Sequence, residues 1–172
     1  MRVPAVVGSW PEPFASGYEG RRHPVRVECL RGGPACAVAR HRVAAASRGR
    51  PDAGSAPIRV LVGPWSRVRS DPAARALSRG PALSGVFARF AGSPGSARLE
   101  ALDAAGRVAR AFGPAAGLVA ATRPGSAPPV WILTGTGAAG VRAAAGALGV
   151  RELRDRYAVI AGGRRELGVP VR

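Results

Sequence analysis

Residues 129–149 read PVWILTGTGAAGVRAAAGALG, and this stretch decides the fold class. The short apolar run 130–133, bounded by turn-forming residues, predicts a buried strand. Apolar side chains at helical spacing predict a helix over 138–148, and Gly149 suits the position after its last turn. The alternating segment 157–160 adds another strand. The order strand, helix, strand indicates a βαβ unit whose two strands are parallel.

A second βα unit lies near the start of the chain. The pattern predicts a strand over 24–30, a helix over 35–46 and a strand over 58–62. Asp71 is suited to cap a short helix over 72–79. Between the two units, alternating apolar patterns predict four strands, the second and third joined as a hairpin, over 86–90, 99–102, 107–112 and 117–122.

These patterns predict a single α/β domain over 24–172, with a mixed sheet, about three helices, βα units at both ends and a hairpin-rich middle. Residues 1–23 are rich in proline and glycine. Their aromatic residues recur every four positions, but Pro11 and Pro13 disfavour a regular helix. We expect an extended arm that lays its aromatic side chains on the domain; an arm that binds a partner is the alternative.

The charge of the chain is strongly positive. The formal net charge is +16, and all 26 basic residues are arginine because the sequence has no lysine. The arginines are scattered, with no run longer than two, whereas nucleic-acid-binding domains more often cluster them. We therefore expect an arginine-rich surface that binds polyanions non-specifically at low salt. A basic nucleic-acid-associated protein is an alternative. With 47% apolar residues, extensive disorder is excluded, and the apolar stretches are too short to span a membrane.

Gly135, Gly137 and Gly140 match the spacing of a dinucleotide-binding turn between a strand and a helix. In a small nucleotide-binding protein, Arg164-Arg165 would then hold a 2′-phosphate. Only one βαβ unit remains at this point of the chain, and the five residues directly after the last predicted strand, 161–165, include no acidic residue. We favour the other interpretation, a closely packed glycine-rich turn.

Cys29 and Cys36 are separated by six residues, which permits a disulfide, two inert thiols or a reactive Cys36 at a helix start. His23 and His41 lack cysteine or carboxylate neighbours at metal-ligand spacing. The sequence has no Gly-x-Ser-x-Gly elbow and no catalytic constellation. We therefore predict neither an enzyme nor a metal or cofactor. Large apolar side chains that could contact a ligand or partner, or else pack in the core, are Trp10, Trp65 and Trp131.

Several strings together resemble one family. They are VPAVVGSWPEPF (3–14), PVRVECL followed by AC (24–36), RVLVGPWSRVRSDPAARALSRGPALSGVFARF (59–90), GLVAATR (117–123) and PVWILTGTGAAGVRAAA (129–145). The chain resembles the C-terminal region of exported proteins of high-GC Gram-positive bacteria. The N-terminal part of those proteins is similar to the C-terminal domain of transcobalamin. Their genes accompany energy-coupling uptake systems for cobalt or cobalamin.

The resemblance implies that a signal peptide and the transcobalamin-like domain lie upstream, and that the chain is extracytoplasmic. It favours the disulfide between Cys29 and Cys36. Relatives carry Asp where this chain has Gly137, which disfavours dinucleotide binding. The implied function is a non-catalytic accessory or binding domain of an envelope or secreted protein in corrinoid or cobalt acquisition, with a corrinoid or an uptake component reached through the upstream domain. Without an upstream segment, the lack of a signal peptide predicts a cytoplasmic protein.

Overall fold

The computed structural model describes residues 9–93, 95–123, 125, 127–154, 156–163 and 166–171. The helices and strands of these residues are, in chain order, α1 (Glu12–Ala15), β1 (Val25–Cys29), α2 (Pro34–Ala46), β2 (Ile58–Pro64), α3 (Trp65–Val68), α4 (Pro72–Arg75), α5 (Pro81–Ser84), β3 (Ala88–Ala91), β4 (Arg98–Leu102), β5 (Val108–Phe112), β6 (Gly117–Thr122), β7 (Val130–Gly135), α6 (Ala138–Ala147), β8 (Ala158–Ala161) and β9 (Leu167–Gly168). Two short 3₁₀ segments are Ala76–Arg79 and Arg151–Leu153.

A six-stranded sheet forms the centre of the molecule, in the order β1-β2-β7-β6-β8-β9. Strands β1, β2 and β7 are parallel, whereas β6 is antiparallel to β7 and β8, and β9 is antiparallel to β8. A second, antiparallel sheet has the order β3-β4-β5. The predicted α/β domain with a mixed sheet and an internal hairpin is confirmed.

The central sheet separates two apolar layers, because side chains alternate across its strands. On β7, Trp131 and Leu133 pack in one layer with α1, α2 and α6. Val130 and Ile132 face the other way and pack with α3, α4 and the second sheet. Both faces of β7 are therefore covered, and all six of its residues are buried. This explains its uninterrupted apolar pattern.

The predicted βαβ unit around α6 is split by another strand. Strands β7 and β8 do run in the same direction, but β6 lies between them and pairs with both. All six residues of β6 are buried, so the strand is stable only with neighbours on both edges and layers on both faces. The apolar pattern predicts each strand but does not reveal which strands pair.

Residues 12–15 form one helical turn where an extended arm is predicted. Prolines are tolerated there because the first N–H groups of a helix have no intrahelical partner. Trp10 and Phe14 belong to the core layer of α2 and α6, and Tyr18 is also buried. Residues 1–8 of the predicted arm lie outside the described residues.

The predicted helix over 72–79 is present as α4 continued by a 3₁₀ segment. Asp71 caps it, with its Oδ1 accepting a hydrogen bond from the backbone N–H of Ala73 at 2.9 Å. The single-turn helices α3 and α5 and the two-residue strand β9 carry too few residues to show a periodic pattern.

Candidate functional site

The glycine turn predicted as a dinucleotide motif is the place where α6 touches two strands. Gly135 ends β7, and a Cβ there would lie 2.7 Å from the carbonyl carbon of Gly140 in α6. A Cβ on Gly140 would overlap the carbonyl oxygen of Ala116, and one on Gly117 would overlap the carbonyl oxygen of Gly140. These glycines therefore allow the helix backbone to lie directly against β6 and β7.

The crevice beside this turn is too small for a dinucleotide. Gly137 precedes α6, and a Cβ there would lie 3.2 Å from the carbonyl oxygen of Pro114. The adjacent crevice, lined by Arg31 and Arg142, has a volume of about 170 Å³. Sites for cofactors and drug-sized ligands have volumes of about 300–1,000 Å³. The geometry supports the closely packed turn; Arg164 and Arg165 lie outside the described residues.

The three tryptophans predicted as ligand contacts or core residues are all buried. Trp10 packs against Trp131 with ring centroids 5.8 Å apart, and Phe14 lies 5.1 Å from Trp10. Trp65 stacks on Phe90 with centroids 4.2 Å apart. The rings therefore fill the two core layers of the structure, and none is presented at an exposed surface.

Cys29 and Cys36 form a disulfide, so the pairing that was open from spacing alone is confirmed. Cys29 is the last residue of β1, and Cys36 lies in the first turn of α2. Their Cα atoms are 5.9 Å apart. Gly33, with φ of 127°, allows the sharp turn between the strand and the helix. In this state neither sulfur is a free nucleophile or metal ligand.

Three charged side chains join β1, β2 and the cap of α4. Arg59 donates to both carboxylate oxygens of Glu28, at 2.9 and 2.8 Å, and its Nη2 also lies 2.6 Å from Asp71 Oδ2. The hydrogen bonds from Arg59 lower the pKa of Glu28. The hydrogen bonds that Arg59 donates to Glu28 and then to Asp71 raise its own pKa. The cluster holds two strands and the start of a helix together. Both of its carboxylates accept hydrogen bonds from Arg59.

Other carboxylates also lie in ion pairs with arginine, in the pairs Arg89–Glu100, Arg107–Asp103 and Arg123–Glu19. Both ring nitrogens of His23 lie near backbone carbonyl oxygens, 2.7 Å from Ala56 and 3.2 Å from Tyr18. His41 is exposed on α2. Within the described residues, no three histidine, cysteine or acidic side chains are grouped so that they could hold a metal ion.

A cleft that the sequence analysis missed lies between α1, β1 and the second half of α2, with a volume of about 330 Å³. We call it the α2 cleft. Its apolar lining includes Pro13, Phe14, Val25, Val27, Val43 and Ala44, and its basic side chains are Arg22, His23, Arg40 and Arg48. The charged residues of the cleft lining are therefore all basic, and most of its other side chains are apolar.

Part of the α2 cleft has a signal in the sequence. Residues 29–51 contain five arginines and no aspartate or glutamate. This local run of uncompensated charge could have indicated a basic surface on α2. The contribution of residues 13–27 could not have been found this way, because it depends on how α1 and β1 pack beside α2.

Comparisons with protein-family models, with curated proteins and with solved structures found no match to this chain. Among the described residues, no helix has the length and apolar character needed to cross a membrane.

Proposed function

We propose that this chain is a non-catalytic binding or accessory domain of an envelope or secreted protein that works in corrinoid or cobalt acquisition. The observation that carries the proposal is the disulfide between Cys29 and Cys36. Disulfides persist in oxidising compartments and are rare in the reducing cytoplasm of mesophilic bacteria. The link to corrinoids and cobalt comes from the resemblance of the five quoted strings to exported proteins of cobalt and cobalamin uptake.

A binding role agrees with the way the polar groups are used. The two sulfurs are joined, and the Glu28–Arg59–Asp71 cluster ties secondary-structure elements together. These groups stabilise the fold, and the α2 cleft remains as a place where a small molecule could bind. The partner would be a corrinoid or an envelope component of the uptake system, reached through the upstream domain that the resemblance implies.

Uptake by the source cells tests the proposed function. The codons for residues 9–171 are deleted in frame, and uptake of labelled cobalamin and of cobalt is measured at limiting concentrations. We expect uptake of at least one of the two to fall, while uptake of an unrelated nutrient such as iron is unchanged. A complementing copy with the native sequence should restore uptake. Unchanged uptake of both cobalamin and cobalt would overturn the corrinoid and cobalt assignment.

A further inference from the structure

The α2 cleft is basic because all the ionisable residues that line it are basic. Its four ionisable lining residues are Arg22, His23, Arg40 and Arg48, and no acidic residue lines it. The concave shape and apolar walls strengthen the electrostatic potential of these charges inside the cleft. The cleft should therefore attract a negatively charged group.

Arg22 is held in place at the cleft by the backbone. Its Nη1 donates to the carbonyl oxygen of Ala15 at 3.3 Å and also contacts that of Arg48. The Arg22 backbone N–H donates to Asp52 Oδ2 at 2.7 Å. Gly49, with φ of 70°, packs so closely that a Cβ there would lie 2.8 Å from Nη1. Arg22 is thus a half-buried, positioned cation, and its guanidinium has no ion-pair partner among the described residues.

The rest of the cleft has an apolar lining beside this charge, in which Phe14 and Val43 are buried and Val27 is half-buried. Phe14 comes from α1, Val27 from β1 and Val43 from α2, so the lining combines three elements fixed by the core. A volume of about 330 Å³ lies in the range of small-molecule sites, which is about 300–1,000 Å³. The cleft has room for a body of one or two rings and is too small for a folded partner.

We propose that the α2 cleft binds a small amphipathic anion, an apolar body that carries a sulfonate, phosphate or carboxylate group. The apolar body lies against Phe14, Val27 and Val43. The anionic group is bound by arginines of the lining, of which Arg22 is held by backbone contacts and Arg40 is exposed. This binding would occur whether or not the domain works in corrinoid acquisition.

A fluorescent probe of this class, anilinonaphthalene sulfonate, tests the proposal on the full chain. We expect saturable binding with one site per chain, weaker at higher salt because charge contributes to the affinity. The uncharged analogue phenylnaphthylamine should bind at least about tenfold more weakly, because it cannot make charge-assisted hydrogen bonds to arginine. No saturable binding of the sulfonate, or equal affinity for both probes, would overturn the proposal.

Two arginines on α2 provide a matched pair of variants. Arg40 lines the cleft and Arg42 does not, although both are exposed on the same helix. Arg40→Glu should weaken sulfonate binding about tenfold or more. Arg42→Glu makes the same change in net charge and should alter it by less than about twofold at an ionic strength of about 0.15 M. Equal weakening by both would show a diffuse basic surface that binds any polyanion, and would contradict a defined site.

A second matched pair blocks the cleft without changing charge. Ala44 lines the cleft and its neighbour Ala45 does not, and both are exposed on α2. Ala44→Trp should abolish saturable binding, whereas Ala45→Trp should preserve it; thermal melting verifies that each variant is folded. If sulfonate binding survives Ala44→Trp, the probe binds elsewhere and the proposal is wrong.

Discussion

The contact between Gly140 and the carbonyl oxygen of Ala116 sets how closely α6 approaches the central sheet. Gly140→Ala places a methyl group where that oxygen lies, so the helix must move away from the sheet. We expect the free energy of unfolding to fall by about 2–3 kcal/mol, the usual cost of overpacking a core. Urea unfolding monitored by tryptophan fluorescence measures this change.

Gly146 is the matched control within α6, because a Cβ there would have no atom within 4 Å. Gly146→Ala should raise the free energy of unfolding by about 0.5–1 kcal/mol, since alanine loses less conformational entropy in a helix. Equal effects of the two substitutions would contradict the packing role assigned to Gly140.

Glu28 makes part of the stability dependent on pH. Its hydrogen bonds from Arg59 lower its pKa in the folded state below the ordinary value of 4.5. The stabilisation is therefore complete above about pH 4.5 and is lost as the pH falls through the lower, folded-state pKa. Glu28→Gln should reduce the free energy of unfolding by about 1 kcal/mol at neutral pH and by less in acid.

Unfolding of parent and variant at neutral and acidic pH measures this difference. Glu152→Gln is the control, because Glu152 is exposed and makes no ion pair among the described residues. If the Glu28→Gln variant loses as much stability as the parent on acidification, Glu28 does not contribute to the acid sensitivity.

At the scale of elements, the disulfide ties β1 to α2 across a short loop with a sequence separation of seven. Closing a loop of this length stabilises a fold by about 2–3 kcal/mol in the chain-entropy account. Reduction should lower the free energy of unfolding by that amount, and a Cys29→Ala, Cys36→Ala variant should match the reduced protein. Unchanged stability on reduction would show that packing alone, without the disulfide, holds α2 against β1.

Helices and strands were predictable from the sequence where burial of one face makes apolar residues recur at a regular spacing. Strand β6 was predicted at its observed bounds, and α2 began one residue earlier than expected. Pairing was not predictable, because the insertion of β6 between β7 and β8 depends on long-range contacts. The helical turn at Phe14 was also missed: two prolines argue against a long helix, but one turn needs neither of their missing N–H groups.

At the scale of the whole molecule, the net charge of +16 predicts non-specific binding of polyanions. Two duplexes of unrelated sequence should bind with equal affinity at low salt, and binding should weaken steeply as salt increases. Fluorescence anisotropy over a range of salt concentrations measures this. Sequence-selective binding that persists at about 0.15 M salt would instead favour the nucleic-acid-associated alternative.

The α2 cleft shows what sequence patterns cannot supply. Arg22 and Arg48 are 26 residues apart in the chain, but the folded chain brings the guanidinium of Arg22 against the carbonyl oxygen of Arg48. The run over 29–51 is rich in arginine and free of acidic residues, but the apolar lining residue Phe14 comes from a segment predicted as an extended arm that lays its aromatic side chains on the domain. Disulfide pairing was one of three outcomes consistent with the cysteine spacing, and only the fold brings the two sulfurs together.

The central claim, an extracytoplasmic binding domain, is tested most directly by the location and redox state of the protein in its own cells. Cells are fractionated under conditions that trap free thiols, and the mass of the protein is measured with and without reduction. We predict that it is found in the envelope or culture fluid, with Cys29 and Cys36 alkylated only after reduction. A cytoplasmic protein whose two cysteines are alkylated without reduction would contradict the account.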